Sequence, residues 1–124
     1  MAAYIVEYTS REYRLYPDRQ LGRLSYMKLA ILLTSGFEAQ DRRTVVRLAE
    51  AALGLGHQVS LFLMADGVYC APFVAGLSTK GALVVWCGHN ARQRGLPGVP
   101  NVHDGSQYDW ACMVAEADRV LSFG

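Results

Sequence analysis

From Lys28 onward the chain runs in blocks of apolar and polar residues whose lengths and spacings predict alternating strands and helices. "KLAILLT" (28–34) is nearly all apolar and closes on Ser35 and Gly36, the composition of a strand buried on both faces of a parallel sheet. After a polar loop, Val45, Leu48, Ala49 and Ala52 recur at i, i+3, i+4 and i+7, with Arg43, Arg47 and Glu50 on another face. That spacing predicts an amphipathic helix. Gly56 is placed to end it, because glycine enters the left-handed cap without strain. "QVSLFLM" (58–64) predicts a second strand, broken by "ADG" at 65–67, and "ALVVWC" (82–87) a third. "GLPGVPNVHDG" (95–105), with two prolines and three glycines, predicts a loop. Ser106 and Asp109 match a capping box, after which Tyr108, Ala111, Cys112 and Ala115 repeat at helical spacing and predict a core-facing stripe. "RVLSF" (119–123) predicts a last strand.

Buried-type strands alternating with helices imply one α/β domain: three layers, a mostly parallel open sheet with helices on both faces. Right-handed crossovers bring the strand C-termini to one edge. Residues 1–26 stand apart from this alternation and hold five of the seven tyrosines. They divide the chain into an N-terminal extension, 1–26, and an α/β domain, 27–124. The extension reads as a mis-called start, a disordered tail or a packing arm, the last favoured by the contact area that tyrosines offer.

Composition narrows the function classes. A length of 124 residues with 52% hydrophobic residues suits one domain with a real core. A net charge of +1 offers no basic field for nucleic acid. No apolar run has the length of a membrane span, and the charged N-terminal stretch lacks the apolar core of a signal peptide. Three widely spaced cysteines are neither a disulfide framework nor a zinc site. Together these predict a reduced, soluble, cytoplasmic domain. His57, His89 and His103 share no metal-ligand spacing, and "TSGFEAQ" lacks the lysine of a phosphate loop. Arg42 and Arg43 read as a solvated helix start.

The candidate chemistry lies in "LVVWCGHNARQRG" (83–95), where a thiol stands at the point where a buried strand stops. Ligands of open α/β sheets collect beyond the strand C-termini, so Cys87 belongs on that edge. Gly88 would let a donor approach the sulfur. N–H groups of a helix beginning at 88 would favour a thiolate or persulfide. Arg92 and Arg94 would add positive potential, and His89 could donate a hydrogen bond or act as a base. A cysteine that closes an apolar strand is equally core material, and position alone leaves both readings open. Cys70, in "DGVYCAP", is expected in a loop on the same edge, within reach of Cys87, whereas Cys112 reads as packing. Asn90 stands where a CxxC pair would place its second cysteine, which argues against a thioredoxin-type dithiol.

"KLAILLTSG", "FLMADGVYCA", "VVWCGHNARQRG" and "AEADRVLSF", in that order and spacing, resemble the DsrE/DsrF-like sulfur-relay family, from about Met27 to the C-terminus. The resemblance implies a single α/β domain that assembles into dimers, trimers or hexamers. In TusD-like and DsrE-like members a cysteine accepts sulfane sulfur as a persulfide and passes it to a partner thiol. The position matching that cysteine is Cys87, and by resemblance Asp66, Gly67 and Tyr69 border the same pocket. The implied function is that of a sulfurtransferase subunit, a persulfide carrier, working with donor and acceptor proteins that bear reactive thiols. It needs no cofactor or metal, and it contacts neither nucleic acid nor membrane. A homo-oligomer, trimer or hexamer, is expected. Two other readings stay open: an oligomeric binding module with a structural Cys87, and a redox sensor pairing Cys87 with Cys70. Residues 1–26 have no counterpart in the short family members.

Overall fold

The computed structural model describes residues 4–8, 13–17 and 26–124. Two short strands, β1 (Tyr4–Tyr8) and β2 (Tyr13–Pro17), pair antiparallel with each other and join no strand of the main sheet. Much of the expected extension or arm, 1–26, lies outside the described residues.

The domain proper follows the predicted alternation. β3 (Lys28–Leu33) leads to helix α1 (Asp41–Gly54), then to β4 (Gln58–Leu63). A 3₁₀ turn (Ala65–Cys70), the single helical turn α2 (Ala71–Val74) and a second 3₁₀ turn (Ala75–Lys80) carry the chain to β5 (Leu83–Cys87). Helix α3 (Gly88–Gln93) begins where β5 ends, followed by β6 (His103–Gly105), α4 (Gln107–Glu116) and β7 (Arg119–Phe123). α1 buries Val45, Ala49 and Ala52, as its spacing predicted, and the chain leaves it through Gly56 at φ +87°. A side chain at Gly56 would also collide with the ring of Tyr26.

The five main strands are all parallel, in the order β6-β5-β4-β3-β7. Three successive crossovers step the same way across the sheet, and the fourth returns to β7. With right-handed crossovers, three connections therefore cover one face and one covers the other. The core follows that division. On the first face Ile31, Leu33, Leu61, Leu63, Val84 and Trp86 pack under α1, α2, α3 and the 3₁₀ turns. On the second, among the described residues, Phe62, Val85 and Cys87 form a small cluster packed by Trp110 and Met113 of α4, with Leu32 and Met64 beside them.

Two expectations need correction. The 95–105 stretch is not wholly loop: His103–Gly105 adds to the sheet edge beside β5. α4 has the predicted capping box at Ser106 and Asp109, but the stripe of Tyr108, Ala111, Cys112 and Ala115 faces outward. The sheet is met instead by Trp110 and Met113, a narrower apolar face one position away.

Candidate functional site

β5 alternates its side chains across the two faces, so Val84 and Trp86 enter the first core and Val85 and Cys87 the second. Cys87 is the cap of α3, with its backbone still extended at φ −71°, ψ 106°. Its Sγ accepts a hydrogen bond from the backbone N–H of Asn90 at 3.4 Å. Cys87 is 4% exposed, in a cluster with Phe62 and Val85 on which Trp110 and Met113 of α4 pack. It thus lies at the C-terminal edge of the sheet, two strands from the reversal between β3 and β7, with one main-chain donor already on it.

The other predicted site residues are arranged around the loop rather than around the sulfur. Gly88 is buried, but the space beside it belongs to Asp104, whose carboxylate a Cβ at 88 would strike. Asp104 accepts from the indole N–H of Trp86 at 2.9 Å and from Arg92 Nη1 at 3.4 Å. Arg92 is therefore paired with a carboxylate. Arg94 likewise places Nε and Nη2 on Asp66 Oδ1, at 3.0 and 2.9 Å. Each guanidinium has a carboxylate partner, which cancels much of the positive potential expected at the thiol. His89 is exposed on α3 and makes no hydrogen bond to Cys87. Gly67 is required by packing: a Cβ there would run into the Leu33 carbonyl oxygen. Tyr69 lines a cleft of about 90 Å³ with Trp86, on the first face of the sheet, away from Cys87.

Neither of the other two thiols joins Cys87. Cys70 is fully buried on the first face, its Sγ donating to the Ser35 carbonyl oxygen at 3.7 Å. Burial pushes the Cys70 thiol up, Arg42 pulls against it, and Glu38 and Asp41 add to the rise. The sheet stands between it and Cys87, so the pairing on which the redox-sensor reading depends is not formed. Cys112 is exposed on α4. Its proximity to Tyr108, one turn earlier, raises that hydroxyl above the usual tyrosine value. Arg42 is also not the solvated residue expected. Its guanidinium lies 4.0 Å from the Phe37 ring and 5.3 Å from that of Phe73, and donates to the carbonyl oxygens of Phe37 and Ala39.

Two residues that sequence reasoning passed over organise the site. Asp104 sits in what read as loop, and nothing local marks it as the partner of Trp86. Asn90 stands out in the sequence only as the residue that is not a cysteine. In the structure its Oδ1 accepts from the Ala65 N–H at 2.7 Å and its carbonyl oxygen accepts from Arg94 Nη1 at 3.1 Å.

This geometry can be set beside known proteins. The family model of the DsrE/DsrF-like family matches residues 27–123. The chain belongs to that family. Among solved structures, the ychN protein from E. coli superposes with a TM-score of 0.70 at 22% identity, over 78% of this chain and 99% of that one. A conserved protein of unknown function from Bacteroides thetaiotaomicron, BT1422, gives 0.64 at 14% identity, over 77% and 93%. These likenesses establish a DsrE-like fold. No curated protein matches the chain significantly. Among the described residues no helix of this DsrE-like domain is long and apolar enough to cross a membrane.

Proposed function

We propose that this DsrE-like protein is a cytoplasmic sulfur-relay protein with Cys87 as the carrier thiol. The observation that carries the reading is the meeting of family and geometry at one sulfur. A thiol ends a buried strand on the C-terminal edge of the sheet and already receives a main-chain N–H. In the first step the Cys87 thiolate attacks the outer sulfur of a donor persulfide. The donor's S–S bond breaks, its thiolate leaves, and Cys87 holds the transferred sulfur as a perthiolate. In the second step an acceptor thiolate attacks that outer sulfur and Cys87 departs as thiolate. No net oxidation occurs and no cofactor or metal is required; the rates depend on thiolate fraction, access and leaving group. The partners are donor and acceptor proteins with reactive thiols, and a reducing cytoplasm keeps Cys87 available.

Only Cys87 is suited to this role. Cys70 is sealed in the opposite core, and Cys112 is exposed on α4 beside the cleft between that helix and the sheet, with no main-chain donor on its sulfur. The redox-sensor alternative loses its second thiol for the same reason. A second reading draws on one observation: at 4% exposure under Trp110 and Met113, Cys87 is packed like a core residue. In that reading the protein is a DsrE-like binding module and the thiol is structural. Incubation with a small-molecule persulfide, followed by mass spectrometry of the peptides, separates the two. The relay predicts one added sulfur on the Cys87 peptide, removed by an acceptor thiol and absent from Cys87→Ser. An unmodified Cys87 beside a modified Cys112 would support the binding module.

A further inference from the structure

The residue at the position of a missing second cysteine has a role of its own. Asn90 spends all its polar groups on four different neighbours. Its N–H is on Cys87 Sγ, its Oδ1 on the N–H of Ala65, its carbonyl oxygen on Arg94 Nη1, and its Nδ2 donates to Gln93 Oε1 at 3.2 Å. Ala65 has φ +51°, a left-handed conformation that a non-glycine residue holds only when its surroundings impose it. Asn90 imposes it directly. The adjoining residue, Asp66, is gripped by Arg94, and Arg94 in turn holds the Asn90 carbonyl oxygen. The hydrogen bonds therefore close a ring from Asn90 through Ala65 and Asp66 to Arg94 and back to Asn90. The ring staples the turn after β4 to α3, and the N–H aimed at the sulfur is on the residue where its two ends meet.

We propose that Asn90 is the positioning residue of the Cys87 thiol: it orients its own N–H on the sulfur through the staple to Ala65 and Asp66. The inference deepens the relay reading and rests on it for its purpose, but not for its test. A main-chain donor cannot be deleted by substitution, so the protein secures it by holding residue 90 through its side chain and through the carbonyl of the next peptide. The side chain at 90 also cannot resolve a sulfur held on Cys87. Cys70, on the other face of the sheet, is not placed to take it either.

The test is alkylation of the full chain with iodoacetamide, followed on the Cys87 peptide by mass spectrometry across a pH series. In Asn90→Ala the Ala65 amide should lose its hydrogen-exchange protection, and in Asn90→Asp, which keeps an acceptor, it should retain it. The pH–rate profile of Asn90→Ala should move to higher pH by about half a unit or more, roughly threefold in rate on the rising limb. Asp66→Ala, which loosens the ring from its other side, should move the profile the same way. The double variant should move it no further than the larger single, because the two act through one network. A purely packing role would alter the melting temperature and the plateau rate but leave the profile in place, and that result would overturn the proposal. So would additive shifts, or a shift to lower pH in Asp66→Ala, the sign of a simple through-space charge effect. Should Asn90→Ala fail to fold, the direction of the Asp66→Ala profile decides alone. Alkylation requires no sulfur transfer, so failure of the relay reading leaves this result standing, and the reverse.

Discussion

Gly88 shows how a residue picked out correctly can be assigned the wrong neighbour. The sequence places a small residue next to a thiol, and the thiol is the obvious beneficiary. The structure gives the space to Asp104, held there by the Trp86 indole. Gly88→Ala should therefore destabilise the fold by about 1–3 kcal/mol through overpacking, and part of that loss should disappear in an Asp104→Ala background, measured by urea unfolding. His89→Ala and Arg92→Ala should leave Cys87 labelling within about twofold of wild type, since exposed charges are screened and neither side chain is bonded to the sulfur. Cys70 supplies a pH signature. Burial raises its thiol above the ordinary cysteine value of about 9.0, so the folded state holds that proton more tightly than the unfolded chain. The stabilisation is complete below the unfolded value and is lost as pH rises through the folded one. The melting temperature should fall as pH climbs beyond about 9, and Cys70→Ala, though less stable at neutral pH by about 1–2 kcal/mol, should fall less steeply.

At the scale of elements, what could be read from the sequence was what local periodicity determines. β3, β4, β5 and α1 declare themselves because strands buried on both faces and a three-residue-wide apolar stripe leave long, regular patterns. β6 does not: His103, Asp104 and Gly105 are polar or small, and only pairing with β5 makes them a strand. α4 was located correctly by its capping box but rotated in the reading, because alanines and a cysteine mimic a core stripe as well as the true contacts do. The true contact is selected by size. Trp110 reaches the Phe62 ring, 6.0 Å between centroids, and with Met113 packs on the cluster that holds Cys87. Trp110→Ala should consequently speed alkylation of Cys87 while leaving buried Cys70 unreactive, with a stability cost of about 2–4 kcal/mol. An unchanged Cys87 rate would mean that the sulfur is reached by another route than under α4.

At the scale of the molecule, strand order decides how well each face is covered. Three crossovers build a closed core over the first face, whereas among the described residues the second is roofed by the ten residues of α4. Beyond that roof, a cleft of about 220 Å³ runs under α4 along the starts of β3, β4 and β5. The register puts Val120 opposite Ala30 and Leu83 opposite Ser60, all on this second face, and Leu83 and Val120 are 44% and 43% exposed. Apolar strand positions left in water on the face that carries the candidate thiol are where copies of the chain would meet. Sequence reading could anticipate assembly only from family resemblance, because which face lacks cover follows from strand order and not from any local pattern. We expect a homo-oligomer, trimer or hexamer, with this face at a subunit boundary. Light scattering at micromolar concentration should report a multiple of the 13.7 kDa chain. Leu83→Glu and Val120→Glu should each lower that mass without unfolding the domain, since both side chains already tolerate solvent. A monomeric wild-type chain would refute assembly outright. A multimer indifferent to both substitutions would move the boundary to another surface and leave α4 open to a partner of different sequence.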